Sequence, residues 1–494
     1  MAIKLHNTLT SELNEFVSQK PGEVSLYTCG PTVYNYLHVG NWAAYIYWDI
    51  LVRTLIANDY SVKRVMNITD VGHLVSDEDE GEDKLEKGAK REGKTAWEIA
   101  DYYLDDFKSG MKSLGLIEPQ FLPRATDYID EQLELIRILK SKDYIYQISD
   151  GIYFDTSKFP TYADFAHLDL AGQRAGARVE FNPEKRNPSD FALWKFSPSD
   201  EKRDMEWPTP TELLEDGKTE TANSQIPNST SQTIMGFPGW HLECSAMSMA
   251  ILGETLDIHT GGIDHIPVHH TDEIAQSESA TGVRFSNYWL HNNHLKVNGT
   301  KISKSLENGY TLADLEQKGF SPMDYRMFIL QGHYRAEGNF TFENLTAAKN
   351  RLHNWRNIAA IRHQIHDSTG DPNDKQVSVY ANSQAVLEAL NDDLNTPVAL
   401  KIIDEALSSV QNAKLSDIDQ HALNSFLESI DNLLGLQIVQ STPDISDDTK
   451  RLILERNQAR KNQDFKASDK LRDELEKQGI TVRDTKHDTI WEYV

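Results

Sequence analysis

Cysteine is nearly absent from this sequence of 494 residues, which contains only Cys29 and Cys244. Two cysteines cannot form a disulfide framework, so they favour a reducing compartment and serve as buried apolar groups, metal ligands or nucleophiles. The sequence also lacks any run of roughly 18–20 apolar residues, the length that crosses a bilayer, and its first residues lack the apolar core of a signal peptide. These absences predict a cytoplasmic protein without a membrane segment.

Positive charge is also in deficit. The sequence has 50 lysines and arginines against 76 acidic residues, a formal charge of −26. This balance opposes binding to nucleic acid, because affinity for a polyanion comes mainly from neutralising phosphates. Net charge governs solubility and long-range steering and does not describe a local patch. The sequence therefore permits an RNA partner only if its basic residues share one face.

The length predicts about three to four domains, and the first of them alternates strand and helix. Residues 24–28 and 62–68 are β-rich, and a helical pattern begins at about residue 41 between them. Thr95 and Glu98 form a capping box that opens a second helix. This order predicts a parallel α/β sheet.

The alternating strand and helix pattern ends at about residue 118 and resumes at about residue 236. An Asp150-Gly151 turn predicts a hairpin within this insertion, and residues 211–235 are polar and typical of a surface loop. Helical patterns dominate after residue 321 and indicate a bundle. The predicted domains are 1–117 and 236–320 for the split catalytic domain, 118–235 for the insertion, 321–440 for the stem-contact region and helical bundle, and 441–494 for a small C-terminal domain.

Two short motifs suit phosphate. His38, Gly40 and Asn41 lie where a strand meets a helix, and backbone N–H groups and the helix dipole favour an anion at such a helix start. Lys301 and Lys304, with Ser303 between them, can bracket a triphosphate from a loop. Taken singly, each motif is also compatible with an ordinary loop.

Four scattered side chains are of the types that bind a metal. They are Cys29, Cys244, His269 and Glu273, and the last two are four residues apart, so that a helix would place them on one face. Two thiolates, an imidazole and a carboxylate are a plausible zinc set. Such dispersed residues do not form a recognisable motif by themselves.

Seven segments resemble, in order, those of the cysteinyl-tRNA synthetase family of class I aminoacyl-tRNA synthetases. They are LYTCGPTVYNYLHVGN, NITD, KRNPSDFALWK, PGWHLECSAM, DIHTGGIDHIPVHHTDEIAQSE, KISKS and QGHYR. The resemblance implies a Rossmann-like catalytic domain split by an insertion, followed by a helical bundle and a C-terminal anticodon-side domain. It also implies that cysteine is activated by ATP, with Mg²⁺, and transferred to the 3′ end of tRNA(Cys).

The same resemblance implies roles for individual residues. Cys29, Cys244, His269 and Glu273 would hold one zinc ion per chain. The zinc would bind the substrate thiolate and reject serine, a near-isostere that an ordinary pocket excludes by only about a hundredfold. His38, Lys301 and Lys304 would stabilise phosphate charge during catalysis. The ATP-binding residues would be His38, Gly40, Asn41, Gly262, Asp264, Lys301, Ser303 and Lys304, with Gly262 and Asp264 at the ribose, and Thr69 and Trp240 would line the cysteine pocket.

The resemblance leaves some points open. Gly262, Asp264, Thr69 and Trp240 could each be structural, and His270 is expected to pack or to line the site. The charged stretch 77–94 is a solvated loop, a lid or a tRNA contact. A cysteine ligase of mycothiol synthesis, which lacks an anticodon-binding extension, is one alternative. A catalytically inactive, zinc-dependent RNA-binding paralogue is another. We expect a monomer whose partners are tRNA(Cys), cysteine and ATP.

Overall fold

The computed structural model describes residues 2–71, 85, 88–89, 91, 93–168, 182–198, 202–215, 233–303, 306–365, 377, 379–486 and 488–494. Most of the charged stretch 77–94, most of the polar loop 211–235, and Lys304 lie outside the described residues.

The described elements are numbered along the chain. The strands are β1 (Lys4–Asn7), β2 (Glu12–Glu15), β3 (Glu23–Thr28), β4 (Ser61–Met66), β5 (Ile145–Ile148), β6 (Gly151–Phe154), β7 (Phe191–Phe196), β8 (Trp207–Pro208), β9 (Met235–Pro238), β10 (Leu256–Gly262), β11 (Ser286–Asn292), β12 (Leu295–Val297), β13 (Gly338–Phe340), β14 (Ile480–Asp484) and β15 (Thr489–Tyr493). The α-helices are α1 (Val39–Ala57), α2 (Ala96–Ser113), α3 (Ile129–Ser141), α4 (Trp240–Leu252), α5 (Thr271–Thr281), α6 (Leu312–Gln317), α7 (Pro322–Leu330), α8 (Phe342–Ala359), α9 (Tyr380–Asn391), α10 (Thr396–Asn412), α11 (Gln420–Leu434), α12 (Ile438–Ser441), α13 (Asp447–Lys461) and α14 (Phe465–Lys477).

A parallel sheet of order β11–β10–β3–β4 is the centre of the catalytic region. The first half of the sequence supplies β3 and β4, which α1 connects, and the second half supplies β10 and β11, which α5 connects. The strands β3 and β10 are neighbours, although more than 200 residues separate them in the sequence. In open α/β sheets, ligands bind beyond the carboxyl ends of the strands where the strand order reverses. The sheet therefore predicts a site beyond Thr28 and Gly262.

The helices of this region form as their local sequence predicts. Thr95 and Glu98 make the expected capping box at the start of α2. The apolar side chains of α2 recur at helical spacing and are buried against the core; they are Ile99, Tyr103, Phe107 and Met111. The strand β10 includes Gly261 and Gly262, which pair with His291 and Asn292 of β11.

The insertion contains an antiparallel sheet of order β5–β6–β7–β9–β8. The predicted hairpin is present as β5–β6, but its two-residue turn is Ser149-Asp150, because Gly151 already pairs with Ile148. The start of the insertion is tied to the end of β4 by the buried carboxylate of Asp70, which accepts from Arg124 Nε at 2.6 Å and from Thr126 N at 3.0 Å. The insertion is thereby held beside the carboxyl edge of the central sheet.

Helices α8 to α11 form the bundle, and α13, α14 and the β14–β15 hairpin follow it. The side-chain amide of Gln364 donates to Trp491 O at 2.9 Å and accepts from Trp491 N at 2.8 Å, which docks the hairpin on the bundle. None of the helices in the described ranges is long and apolar enough to cross a bilayer. The exact domain boundaries expected from the sequence stay predictions.

Candidate active site and metal centre

The two phosphate-type motifs touch each other. His38 is the N-cap of α1, and its backbone pairs with that of Thr311 in an isolated bridge. A Cβ added to Gly40 would lie 2.9 Å from Ile302 Cδ1 and 3.0 Å from His38 Cε1. Only glycine leaves room for this contact, so Gly40 allows the KISKS loop to approach the start of the helix.

The hydrogen bonds of His38 determine its chemical form. Asn41 N donates to His38 Nδ1 at 3.3 Å, and His38 N donates to Asn41 Oδ1 at 3.1 Å, a capping box in which histidine replaces the usual hydroxyl residue. Burial lowers the pKa of His38. A neutral imidazole whose Nδ1 accepts carries its proton on Nε2. His38 can therefore donate from Nε2 to an anion at the helix start.

Asn308 closes the second motif. Its Oδ1 accepts from Ser303 N at 2.9 Å, and its Nδ2 donates to Lys301 O at 3.2 Å. Lys301 is exposed, and Lys304 lies outside the described residues. Sequence reasoning missed Asn308, although the Asn308-Gly309 dipeptide is a turn signal that could have indicated it.

A cluster of metal-ligand types lies at the carboxyl ends of β3 and β10. The candidate ligand atoms of Cys29, Cys244 and His269 are within 4.8 Å of one another, and so are those of an overlapping group, which consists of Cys29, His259, His270 and Glu273. His269 Nε2 and Glu273 Oε2 are 3.8 Å apart. The four predicted zinc ligands thus share one neighbourhood, but Glu273 belongs to the second group rather than to the first.

The local backbone explains how His269 and Glu273 meet. His269 lies in a π-helical turn over Ile266–His270, and Glu273 lies in the first turn of α5. Turns of this kind are rare and often occur at functional sites. Sequence reasoning did not include His259 or His270 as ligand candidates. The adjacent His269-His270 pair was a signal for His270, whereas His259 became visible only through the sheet.

The chemistry of the cluster fits a cation. Burial, with the neighbouring Cys244 and Glu273, raises the pKa of the Cys29 thiol well above its ordinary value. Burial and the surrounding histidines lower the pKa of His270 well below its ordinary value. Glu273 Oε2 is buried and accepts no hydrogen bond from the described residues, which costs free energy unless a positive group faces it. A metal ion would supply that charge and would favour thiolate and neutral imidazole.

The predicted cysteine-pocket residues adjoin this cluster. The Trp240 ring centroid is 4.4 Å from that of His269. Thr69 Oγ1 donates to the buried Glu243 Oε2 at 3.1 Å and accepts from Asn67 Nδ2 at 3.1 Å. Glu243 and Asn67 are therefore further residues that orient Thr69, and sequence reasoning did not single them out.

Gly262 and Asp264 lie at the end of β10. A Cβ on Gly262 would lie 2.4 Å from Asp264 Oδ1, so the carboxylate folds back over the glycine. Asp264 lies within the short 3₁₀ turn Ile263–His265 that follows the strand, at the same edge of the sheet as His38 and Cys29. The predicted ribose contact is compatible with this position.

Comparisons with known proteins agree with this architecture. Solved structures with the same fold include methionyl-tRNA synthetase of Mycobacterium tuberculosis in complex with methionyl-adenylate, with a TM-score of 0.57 and 16% identity over 85% of this chain and 92% of that chain. A leucyl-tRNA synthetase of Agrobacterium radiobacter also has a TM-score of 0.57, at 12% identity over 86% of this chain and 85% of that one. These likenesses show the fold of the class I aminoacyl-tRNA synthetases.

Sequence relatives define the class further. Residues 15–217 and 218–350 match the class I (C) tRNA synthetase catalytic domain, and residues 442–491 match the cysteinyl-tRNA ligase anticodon binding domain. The chain is 38% identical to a cysteine–tRNA ligase of Treponema denticola over 99% of both chains, and 40% identical to cysteine–tRNA ligase 1 of Burkholderia lata over 98% of this chain and 96% of that one. The chain belongs to the cysteine–tRNA ligase family. The predicted family, fold class and ligase function are confirmed.

Proposed function

We propose that the residues described above activate cysteine with ATP to cysteinyl-adenylate, release pyrophosphate and pass the cysteinyl group to the 3′ end of tRNA(Cys). The observation that carries this proposal is the meeting of three parts at one edge of the sheet. The start of α1 and the KISKS loop touch through Gly40 and Ile302, and the thiol and imidazole cluster lies at the ends of β3 and β10.

The phosphates of ATP bind where the two motifs meet. His38 donates from Nε2, and the positive end of the α1 helix dipole faces the same anion. Lys301 and Lys304 add positive charge from the loop, and Ser303 adds a hydroxyl. These groups stabilise the pyrophosphate as it leaves while the cysteine carboxylate attacks the α-phosphate. Catalysis here is positioning and charge stabilisation, so no side chain is assigned as a general base. Mg²⁺ accompanies the ATP.

Cys29, Cys244, His269 and Glu273 hold one zinc ion. What supports this is the donor set itself, because thiolate, imidazole and carboxylate are the ligands zinc takes in proteins. When bound, zinc supplies a position that binds the substrate sulfur as a thiolate and for which a serine hydroxyl is a poor ligand. The residues of the chain hold the rest of the amino acid, with Thr69 oriented by Glu243 and Trp240 against His269.

Gly262 and Asp264 contact the ribose of ATP, and the C-terminal region binds the anticodon side of the tRNA. The anticodon-domain match at residues 442–491 disfavours the mycothiol-type ligase, which lacks such an extension. The protein acts as a monomer in the cytoplasm.

The test is cysteine-dependent ATP–pyrophosphate exchange, measured with cysteine and with serine, before and after zinc chelation. We expect exchange with cysteine only, lost on chelation and restored by zinc. Equal exchange with serine would contradict the role of zinc in recognition. Absence of exchange with either amino acid in the zinc-loaded protein would favour the inactive paralogue.

A further inference from the structure

The turn between α9 and α10 has an unusual backbone. Asp393 and Leu394 are consecutive non-glycine residues with φ values of 59° and 54°, and their side chains are buried. A left-handed backbone is strained for most residues other than glycine, and Leu394 tolerates it less well than Asp393 does. Such a turn persists only where the surroundings enforce it, and it often accompanies a functional requirement.

The turn presents the Asp393 carboxylate to two distant segments. Oδ1 accepts from His6 N at 2.9 Å and from Tyr334 Oη at 2.6 Å, and Oδ2 accepts from Arg335 Nε at 2.7 Å. The backbone N of Asp393 also donates to Lys4 O at 2.9 Å. One buried carboxylate thus joins the N-terminal strand β1, the helical bundle and the segment that follows α7.

The segment after α7 supports the strand that leads into the KISKS loop. Asn293 N donates to Tyr334 O at 2.8 Å, and Asn293 Nδ2 donates to Arg335 O at 3.1 Å. β12 begins two residues after Asn293 and pairs in parallel with β13, with Val297 opposite Phe340.

The pairing extends to the turn before the loop. Asn298 N donates to Phe340 O at 3.0 Å, and Gly299 N donates to Asn339 Oδ1 at 2.7 Å. Lys301 follows two residues after Gly299. The segment 334–340 therefore positions one side of the KISKS loop. Asp393 in turn binds the first two residues of this segment, Tyr334 and Arg335.

We propose that Asp393 is a positioning residue for the second phosphate motif. It is not one of the residues assigned to ATP or cysteine, and it acts through Tyr334 and Arg335 on the strand pair β12–β13, which precedes Lys301. The proposal rests on the proposed function, since it assigns a role within the adenylation step. The bundle turn that supplies the carboxylate thereby connects the helical region with the ATP site.

The substitution Asp393→Asn tests this role. Asparagine has the same size and tolerates the left-handed backbone, but its amide replaces the charged acceptor and sets an NH₂ group against one of the three donors. Because a misplacement of about 1 Å in a catalytic group can cost about a hundredfold, we expect the kcat of cysteine-dependent pyrophosphate exchange to fall about tenfold or more. The KM for cysteine and the zinc content should not change. The matched control is Asp392→Asn, whose side chain is exposed on the adjacent residue.

Two further variants separate positioning from folding. Tyr334→Phe removes only the hydroxyl that donates to Asp393, so it carries the test if Asp393→Asn does not fold, and it should lower kcat in the same way. In a Lys301→Ala background, Asp393→Asn should lower exchange much less than in the wild type, because both changes disable the same loop.

The outcomes decide between the proposal and its alternatives. The proposal is supported if Asp393→Asn lowers exchange strongly in the wild-type background and much less in the Lys301→Ala background. Wild-type kcat in folded Asp393→Asn and Tyr334→Phe overturns it, and so does an equal fractional loss in both backgrounds. An active wild type with unaffected variants leaves the proposed function intact, whereas an inactive zinc-loaded wild type overturns the proposed function and this inference together.

Discussion

Arg326 Nη2 donates to Asp49 Oδ2 at 2.5 Å, and both side chains are fully buried. Asp49 lies in the first catalytic helix α1, and Arg326 lies in α7. Arg326 also donates to Leu434 O at 2.7 Å and to Leu114 O at 3.0 Å. The pair therefore connects α1 and α7 with the C-terminal ends of the bundle helix α11 and of α2. Burial alone would raise the pKa of Asp49, but Arg326 and Arg53 outweigh it and lower that pKa.

Breaking this pair should destabilise the protein strongly. In Arg326→Met the Asp49 charge stays buried without its main partner, and we expect a loss of about 3–5 kcal/mol in the free energy of unfolding. The measurement is urea unfolding followed by tryptophan fluorescence. The control is Arg451→Met, which removes an ion pair with Asp448 whose side chains are 65% and 80% exposed, and should cost less than about 1 kcal/mol. Similar losses in the two variants would contradict the prediction.

Lys304 should be essential for adenylation. Replacing Lys304 with alanine removes one of the two loop cations that we propose to stabilise the leaving pyrophosphate, so most of the cysteine-dependent pyrophosphate exchange should be lost. The zinc content should be unchanged, because no predicted zinc ligand lies in this loop. The control is Lys401→Ala, whose side chain is 74% exposed on α10. If Lys304→Ala exchanges pyrophosphate at the wild-type rate, the proposed role of Lys304 in adenylation is wrong.

The two overlapping ligand groups make different predictions for zinc content. If the ion is held by Cys29, Cys244, His269 and Glu273, then His269→Ala should lose most of the bound zinc and His270→Ala should retain it. Both side chains are buried, so the two variants are matched in environment. Zinc per chain, measured by atomic absorption after dialysis, gives the answer. The reverse pattern would assign the ion to the group that contains His270 instead.

The C-terminal domain should contain an acid-sensitive ion pair. Hydrogen bonds from Arg456, outweighing burial, lower the pKa of Asp484 to about 2. The unfolded-state pKa is about 3.9, so this depressed pKa contributes stability above about pH 4, and the contribution is lost as the pH falls through about 2.

The test of this ion pair compares the wild type with Arg456→Met. The difference in unfolding midpoint should be largest above about pH 4 and should shrink as the pH approaches about 2. The control is Arg472→Met, which removes a 3.9 Å pair with the largely exposed Asp469. A difference between wild type and Arg456→Met that grows on acidification would refute the assignment.

Local features were predictable from the sequence because their contacts span only a few residues. The capping box of Thr95 and Glu98 is complete within four residues, and the apolar spacing along α2 specifies its buried face. The motif around His38 and Gly40 likewise indicates a helix start that suits an anion. Family resemblance added the ligase function and named candidate site residues, whose individual roles stay predictions.

What the tertiary structure alone decided is which distant residues meet. Cys29 at the end of β3 meets Cys244 of α4, the helix that precedes β10, and β10 is the neighbour of β3 in the sheet. This strand order depends on packing across the whole domain. The same order brings in His259 and His270, which the sequence had not marked as ligands. Asp393 reaches His6 across 387 residues. Contacts between residues this far apart in the sequence produce no periodic pattern that could be recognised. They form because the two faces of the sheet and the helices of the bundle are buried against each other, and not because of local hydrogen bonds.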